Sequence, residues 1–230
     1  MTVERALIVG AGKGISASVA RRLAARGTKL MLASRHTENV ADLAAETNAL
    51  SVACNVADPA SVLAMYAAVD EQLGDLDFVL FNPGYRTRGP FTELDAAEVQ
   101  KTLMVSCYGG FLVAQPAAQR MVARGHGAIF FTGASASVKG YPQSAPFAMA
   151  KFGLRGMAQS MARELGPKGI HIAHFNIDGG VRSEVRPDPA DNPDSFLDPD
   201  DIADTYMAVL DQKRSAWSLE VEVRPWVERF

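Results

Sequence analysis

Seven short, apolar, β-type runs alternate with longer segments of helical period along the 230-residue chain, and nothing else in the sequence restricts the fold as much. The runs are Ala6–Val9, Leu30–Ala33, Leu50–Ala53, Phe78–Phe81, Ala128–Thr132, Ile170–Phe175 and Leu219–Val223. Helical patterns fill Ile15–Arg26, Thr37–Glu46, Ala60–Leu73, Ala96–Ala123, Ala145–Leu165 and Asp200–Gln212. Strands that are apolar throughout and separated by helices belong to a parallel sheet covered on both faces. Right-handed crossovers then give a doubly wound α/β fold with a seven-stranded sheet. The length suits one such domain spanning residues 1–230.

The first strand runs into Gly10-Ala11-Gly12-Lys13-Gly14-Ile15-Ser16 and then into an amphipathic helix. Glycines at this junction let the backbone turn tightly beside a pyrophosphate, and the helix N-terminus offers free N–H groups. This is the dinucleotide-binding arrangement of a Rossmann fold. NAD-binding chains place Asp or Glu at the end of the second strand, on the ribose 2′-hydroxyl. Here that region reads Ala33-Ser34-Arg35-His36, with no carboxylate. A guanidinium suits a 2′-phosphate, and Lys13 is a second cation for it. The expected cofactor is NADP(H).

Composition excludes several alternatives. The net charge of −3 and the lack of any long Lys/Arg run argue against nucleic acid. No stretch is apolar enough to span a membrane. The opening MTVERALIVGAGKG lacks the pattern of a secretory leader, so a cytoplasmic location is expected. Cys54 and Cys107 make no disulfide framework and are expected as buried thiols. His36, His126, His171 and His174 show no metal-ligand spacing, and no metal is expected. Residues Ser183–Asp201 hold four prolines and many acids. They are expected to form a mobile lid beside the site, ending where Asp198-Pro199 starts a helix.

The ordered motifs resemble those of the short-chain dehydrogenase/reductase family over nearly the whole chain. The family's Thr-Gly-x-x-x-Gly-x-Gly falls on Val9, Gly10, Gly14 and Ser16. Its adenine-contacting Asp falls on Asn55, followed by Val56. Its Asn-Asn-Ala-Gly falls on Phe81-Asn82-Pro83-Gly84, and its Pro-Gly on Asp178-Gly179. The resemblance implies that Gly10, Gly12, Lys13, Gly14, Ile15, Ser34, Arg35, Asn55, Val56, Asn82, Pro83, Gly84, Lys151, Asp178 and Gly179 hold the cofactor.

The catalytic positions depart from the family. Its Tyr-x-x-x-Lys has one match, Phe147-Ala148-Met149-Ala150-Lys151, which keeps the lysine and loses the tyrosine. The family's serine falls on Ala134, beside Ser135, and its asparagine on Ser106. Phenylalanine has no proton to give. A positioned proton donor contributes roughly 10²–10⁴ in rate, so the usual mechanism cannot run unchanged. Lys151 retains a use, because the resemblance gives it the nicotinamide ribose. Tyr141, Tyr85, Ser135 and Ser106 are candidate replacement donors, each with a pocket-wall or packing role as the alternative. Asp178 reads either as a carboxylate near the carboxamide or as the cap of the Gly179-Gly180 turn.

Two functions fit these residues. The first is an NADP(H)-dependent oxidoreductase with an altered acid, acting on a small carbonyl, enone or imine. The second is a non-catalytic NADP(H)-binding protein, a sensor or partner subunit. Helix Ala145–Leu165 is apolar on more than one face through Phe147, Met149, Phe152, Leu154, Met157 and Met161. It predicts a homodimer or homotetramer, as the resemblance also implies.

Overall fold

The computed structural model describes residues 2–228. All seven expected strands form: β1 (Arg5–Val9), β2 (Lys29–Ser34), β3 (Leu50–Ala53), β4 (Phe78–Phe81), β5 (Gly127–Thr132), β6 (Ile170–Ile177) and β7 (Glu220–Val223). They make one sheet in the order β3-β2-β1-β4-β5-β6-β7, with every pairing parallel. The helices are α1 (Ile15–Ala25), α2 (Ala41–Thr47), α3 (Pro59–Gln72), α4 (Ala96–Leu103), α5 (Gly109–Arg124), α6 (Ala145–Leu165) and α7 (Pro199–Leu210).

Alternation along the strands builds two cores. Ala6 and Ile8 of β1, Phe78 and Leu80 of β4 and Phe130 of β5 pack with α1, α2 and α7. Leu7 and Val9, Val79 and Phe81, and Phe131 pack with α3, α5 and α6 on the other face. Strands β4, β5 and β6 are buried at every residue, which explains their lack of polar alternation. The edge strand β7 alternates exposed Glu220 and Glu222 with half-buried Val221 and Val223.

Helix starts follow local chemistry. Asp58, Asp95 and Asp198 each accept a hydrogen bond from the backbone N–H two residues on, at 2.9, 2.7 and 2.8 Å. Pro59 and Pro199 occupy first-turn positions, where the missing N–H is not needed.

Three expectations need correction. The segment Ala96–Ala123 is not one regular helix, because a wide π-turn at Met104–Tyr108 separates α4 from α5. The extra residue in that turn aims Ser106 inward, and α5 then packs so closely that a Cβ on Gly109 would lie 2.9 Å from the Val56 carbonyl oxygen. Thr37–Glu46 splits into a tight 3₁₀ turn, Thr37–Val40, followed by α2. Cys54 is buried as expected, but Cys107 is only half-buried, because it lies on the π-turn beside Gly153 of α6.

Candidate active site

The C-terminal ends of β1 to β4 open into a cleft of about 280 Å³. Gly10, Ser34, Arg35, Asn55, Val56, Asn82, Pro83 and Gly84, drawn from four strand ends distant in sequence, line it together. Gly10 has φ +76°, and a Cβ there would fall 2.7 Å from the Pro83 nitrogen. Only glycine permits that approach. Gly12 and Gly14 face open space, with no atom within 4 Å of where a Cβ would stand.

Hydrogen bonds hold the glycine loop in shape. The N–H groups of Gly10 and Ala11 both donate to the Ala33 carbonyl, at 2.9 and 3.0 Å. Buried Ser16 accepts from the Gly12 N–H at 3.1 Å and donates to the Gly10 carbonyl at 3.2 Å. The Asn82 amide donates to the Gly10 carbonyl at 3.4 Å, tying the loop to the end of β4. Lys13 lies off this cleft. Its ammonium stands 3.7 Å from the Glu184 carboxylate, so it joins the glycine loop to the 183–201 segment instead of lining the surface around Arg35.

Lys151 of α6 is buried at the end of β5, where its ammonium donates to the Thr132 carbonyl at 2.8 Å. Burial lowers its pKa to about 8. Phe147, one helical turn earlier, has its ring 5.7 Å from the Lys151 nitrogen. On that ring lies the Arg86 guanidinium, 5.3 Å from the centroid. Sequence reasoning passed over Arg86, because a lone arginine after a strand carries no motif.

The four candidate proton donors lie in different settings. Ser106 is fully buried; its hydroxyl accepts from the Tyr85 N–H at 2.8 Å and donates to the Tyr85 carbonyl at 3.0 Å. Its one proton is committed to backbone, which leaves it the packing role. The Tyr85 phenol donates to the Glu98 carboxylate at 2.5 Å and accepts from Lys101 at 3.0 Å, so it is turned toward α4. Tyr141 is exposed, on the loop before α6. Ser135 begins the short turn after β5, near enough to Asp178 to favour its charged form.

Asp178 is more than a turn cap. It has no exposed surface, and its Oδ2 lies 3.1 Å from the Lys139 ammonium and 3.6 Å from the Arg224 guanidinium. Burial alone would raise its pKa, yet Ser135, Lys139 and Arg224 together hold it below the ordinary carboxylate value. Lys139 was the signal missed, because its partner is 39 residues away. The neighbouring Gly179 is fixed by crowding, since a Cβ there would lie 2.8 Å from the Pro225 ring.

The histidines of β6 sit in the core. His171 stacks on Trp217 with centroids 4.7 Å apart, and burial with neighbouring Lys151 pushes His174 down to about 4. In the 183–201 segment, Arg182 gathers Asp188, Asp194 and Asp198 at 2.5, 3.3 and 2.8 Å.

Comparison with known proteins gives the family and the fold. The family model for short chain dehydrogenases matches residues 4–190. A D-threitol dehydrogenase from Mycolicibacterium smegmatis is 31% identical over 172 residues, which cover 73% of this chain and 66% of that protein. The crystal structure of a short-chain dehydrogenase from Rhodopseudomonas palustris is similar at 35% identity and a TM-score of 0.84, covering 96% of this chain and 98% of that one. A metagenomic short-chain oxidoreductase solved in complex with NADP is 25% identical with a TM-score of 0.84, covering 98% of both chains. No helix among the described residues is long and apolar enough to cross a membrane.

Proposed function

This chain belongs to the short-chain dehydrogenase family, and from that premise we propose that it is an NADP(H)-dependent oxidoreductase in which residue 147 does not supply the proton. The observation that carries this reading is the pairing on α6 of a buried, hydrogen-bonded Lys151 with an apolar Phe147, in a chain that also has a nucleotide-type cleft at the ends of β1 to β4.

The residues present fit the cofactor. The glycine loop leaves open space at Gly12 and Gly14, where a pyrophosphate would meet the N-terminus of α1. Arg35 would hold the 2′-phosphate, because the end of β2 offers a guanidinium and no carboxylate. Asn55 and Val56 would border the adenine, and Asn82-Pro83-Gly84 would back the nicotinamide side. The NADP-bound relative supports the same choice. When bound, the cofactor supplies the hydride.

The protein's own contribution is orientation. Lys151 would hold the nicotinamide ribose, with one of its protons already committed to Thr132. Phe147 gives the reacting face a wall without a hydroxyl. The proton for a substrate oxygen or carbon then comes from water or from the substrate, which suits activated alkenes and iminium compounds better than simple ketones. The dehydrogenase relative supports oxidoreduction as the reaction class.

The reading is tested with purified protein. NADPH should bind more tightly than NADH, and Arg35→Gln should erase most of the difference. NADPH oxidation should be faster with enones or cyclic imines than with simple ketones. Restoring the family's pair, Phe147→Tyr with Ala134→Ser, should raise ketone reduction by roughly 10²-fold or more, the worth of a positioned acid. Either change alone should give far less, because both groups act on one oxygen. Unmodified protein that already reduces simple ketones faster than enones would overturn it.

A further inference from the structure

Three exposed arginines on the loops after β4 and β6 have no carboxylate partner among the described residues, and one of them, Arg86, lies on the Phe147 ring. Arg86 lies on the Phe147 ring, and Arg88 follows two residues later on the same loop. Arg186 comes from the 183–201 segment, with its guanidinium 5.9 Å from the Phe196 ring. Its Nη1 lies close to the exit of β6, 3.5 Å from where a Cβ on Gly180 would stand. Arg86 is near enough to both others to feel them: burial first, then Arg88 and Arg186, disfavour its charge. Among the described residues no carboxylate lies within 4 Å of any of the three.

The contrast with nearby cations is informative. Arg182, four residues before Arg186, takes Asp188, Asp194 and Asp198. Lys139 takes Asp178. Three acids of the lid segment are therefore committed to Arg182, and Arg186 pairs with no carboxylate. In a chain with 26 acidic and 23 basic side chains, Arg86, Arg88 and Arg186, exposed and without a paired carboxylate, give this part of the surface an excess of positive charge. Like charges held together cost free energy unless an anion joins them. The planar guanidinium, stacked on an aromatic ring, keeps its edge free for a bidentate contact with paired oxygens.

We propose that Arg86 and Arg186, steered by Arg88, bind an anionic group of the substrate, a carboxylate or a phosphate ester, above Phe147. This deepens the oxidoreductase reading, and rests on it in treating the space above Phe147 as the substrate site. The ring then has a task of its own. It carries Arg86 on its face, 5.3 Å from the ring centroid. The cofactor's 2′-phosphate has its own guanidinium, Arg35, in the cleft at the ends of β1 to β4.

Two matched pairs of probes test this on the NADPH-loaded protein by calorimetry: 4-oxopentanoate against its methyl ester, and dihydroxyacetone phosphate against dihydroxyacetone. One charged member should bind at least about tenfold more tightly than its neutral twin, the worth of a charge-assisted contact, and the pair that responds identifies the anion. Arg86→Gln and Arg186→Gln should each bring that ratio close to one, Arg86→Lys should keep part of it, and added salt should erode it. NADPH affinity should stay within about twofold in both glutamine variants, since a lost charged contact would cost more. No charge preference in either pair, or a preference that survives both substitutions, overturns the proposal. So does a large loss of NADPH affinity in the variants without a change in the ratio, which would assign these cations to the cofactor. Arginine-dependent anion binding with no hydride transfer to any substrate sustains the clamp and removes the oxidoreductase reading. Turnover that ignores substrate charge does the reverse.

Discussion

Lys151 shows how one burial decides both a role and a pH dependence. An amine with an ordinary value of 10.5 is brought to about 8 by burial, with the neighbouring Cys107 opposing the shift. Between those two pH values the unfolded chain holds a proton that the folded chain has released, so stability rises with pH across that window. Below pH 8 the cost of burying the charge is present in full, about 3 kcal/mol for a shift of this size. Lys151→Met keeps the apolar stem and removes the charge. The ligand-free variant should be more stable than the parent at neutral pH, and the difference should shrink as pH approaches 10.5. Urea midpoints of both proteins at neutral and alkaline pH measure it. A gap that stays constant with pH would mean the ammonium is better solvated than its position indicates.

At the level of elements, the π-turn between α4 and α5 is the local feature that shapes the site. It turns Ser106 onto the backbone of Tyr85, and so fixes the loop that carries Pro83 and Arg86. Ser106→Ala would leave a buried N–H and carbonyl without their partner. The expected loss is about 1–3 kcal/mol of stability. The loop after β4 should also exchange its amide hydrogens faster, whereas the glycine loop, held by Ser16 and Ala33, should not change. Equal protection of residues 83–88 in parent and variant would show that the turn is held by something other than Ser106.

On the scale of the whole molecule, α5 and α6 leave an apolar surface uncovered. Phe111, Met149 and Phe152 are 40%, 53% and 45% exposed, and Tyr108 stacks on Phe111 with centroids 5.9 Å apart. Between the two helices runs a groove of about 500 Å³ lined by Phe111, Met157 and Met161. Surfaces of this kind are characteristic of protein interfaces, and we expect a second copy of this chain to cover it. Sedimentation should give at least twice the 24.6 kDa chain mass, and Phe111→Glu should move the protein toward that single mass. A monomer at micromolar concentration in the unsubstituted protein would rule this out.

What the sequence determined by itself was most of what depends on near neighbours along the chain. Apolar runs such as Phe78–Phe81 and caps such as Asp198-Pro199 carry their structure in a few residues, so the strands, most helices and the glycine loop were legible. The adjacency of Phe147 and Lys151 on one helical turn was legible too, because both lie on α6. The tertiary structure decided what depends on approach across the fold. Only packing of α5 against Val56 required the π-turn that the unbroken helical pattern of Ala96–Ala123 concealed. Only the folded chain joins Asp178 to Lys139, commits Tyr85 to Glu98, and sets Arg86 on Phe147 61 residues along the chain from where it began. Periodicity records which face of an element is apolar; it does not record which distant charge will meet which ring. That pairing is fixed by the crossovers of the sheet, which bring separate loops to the C-terminal ends of its strands.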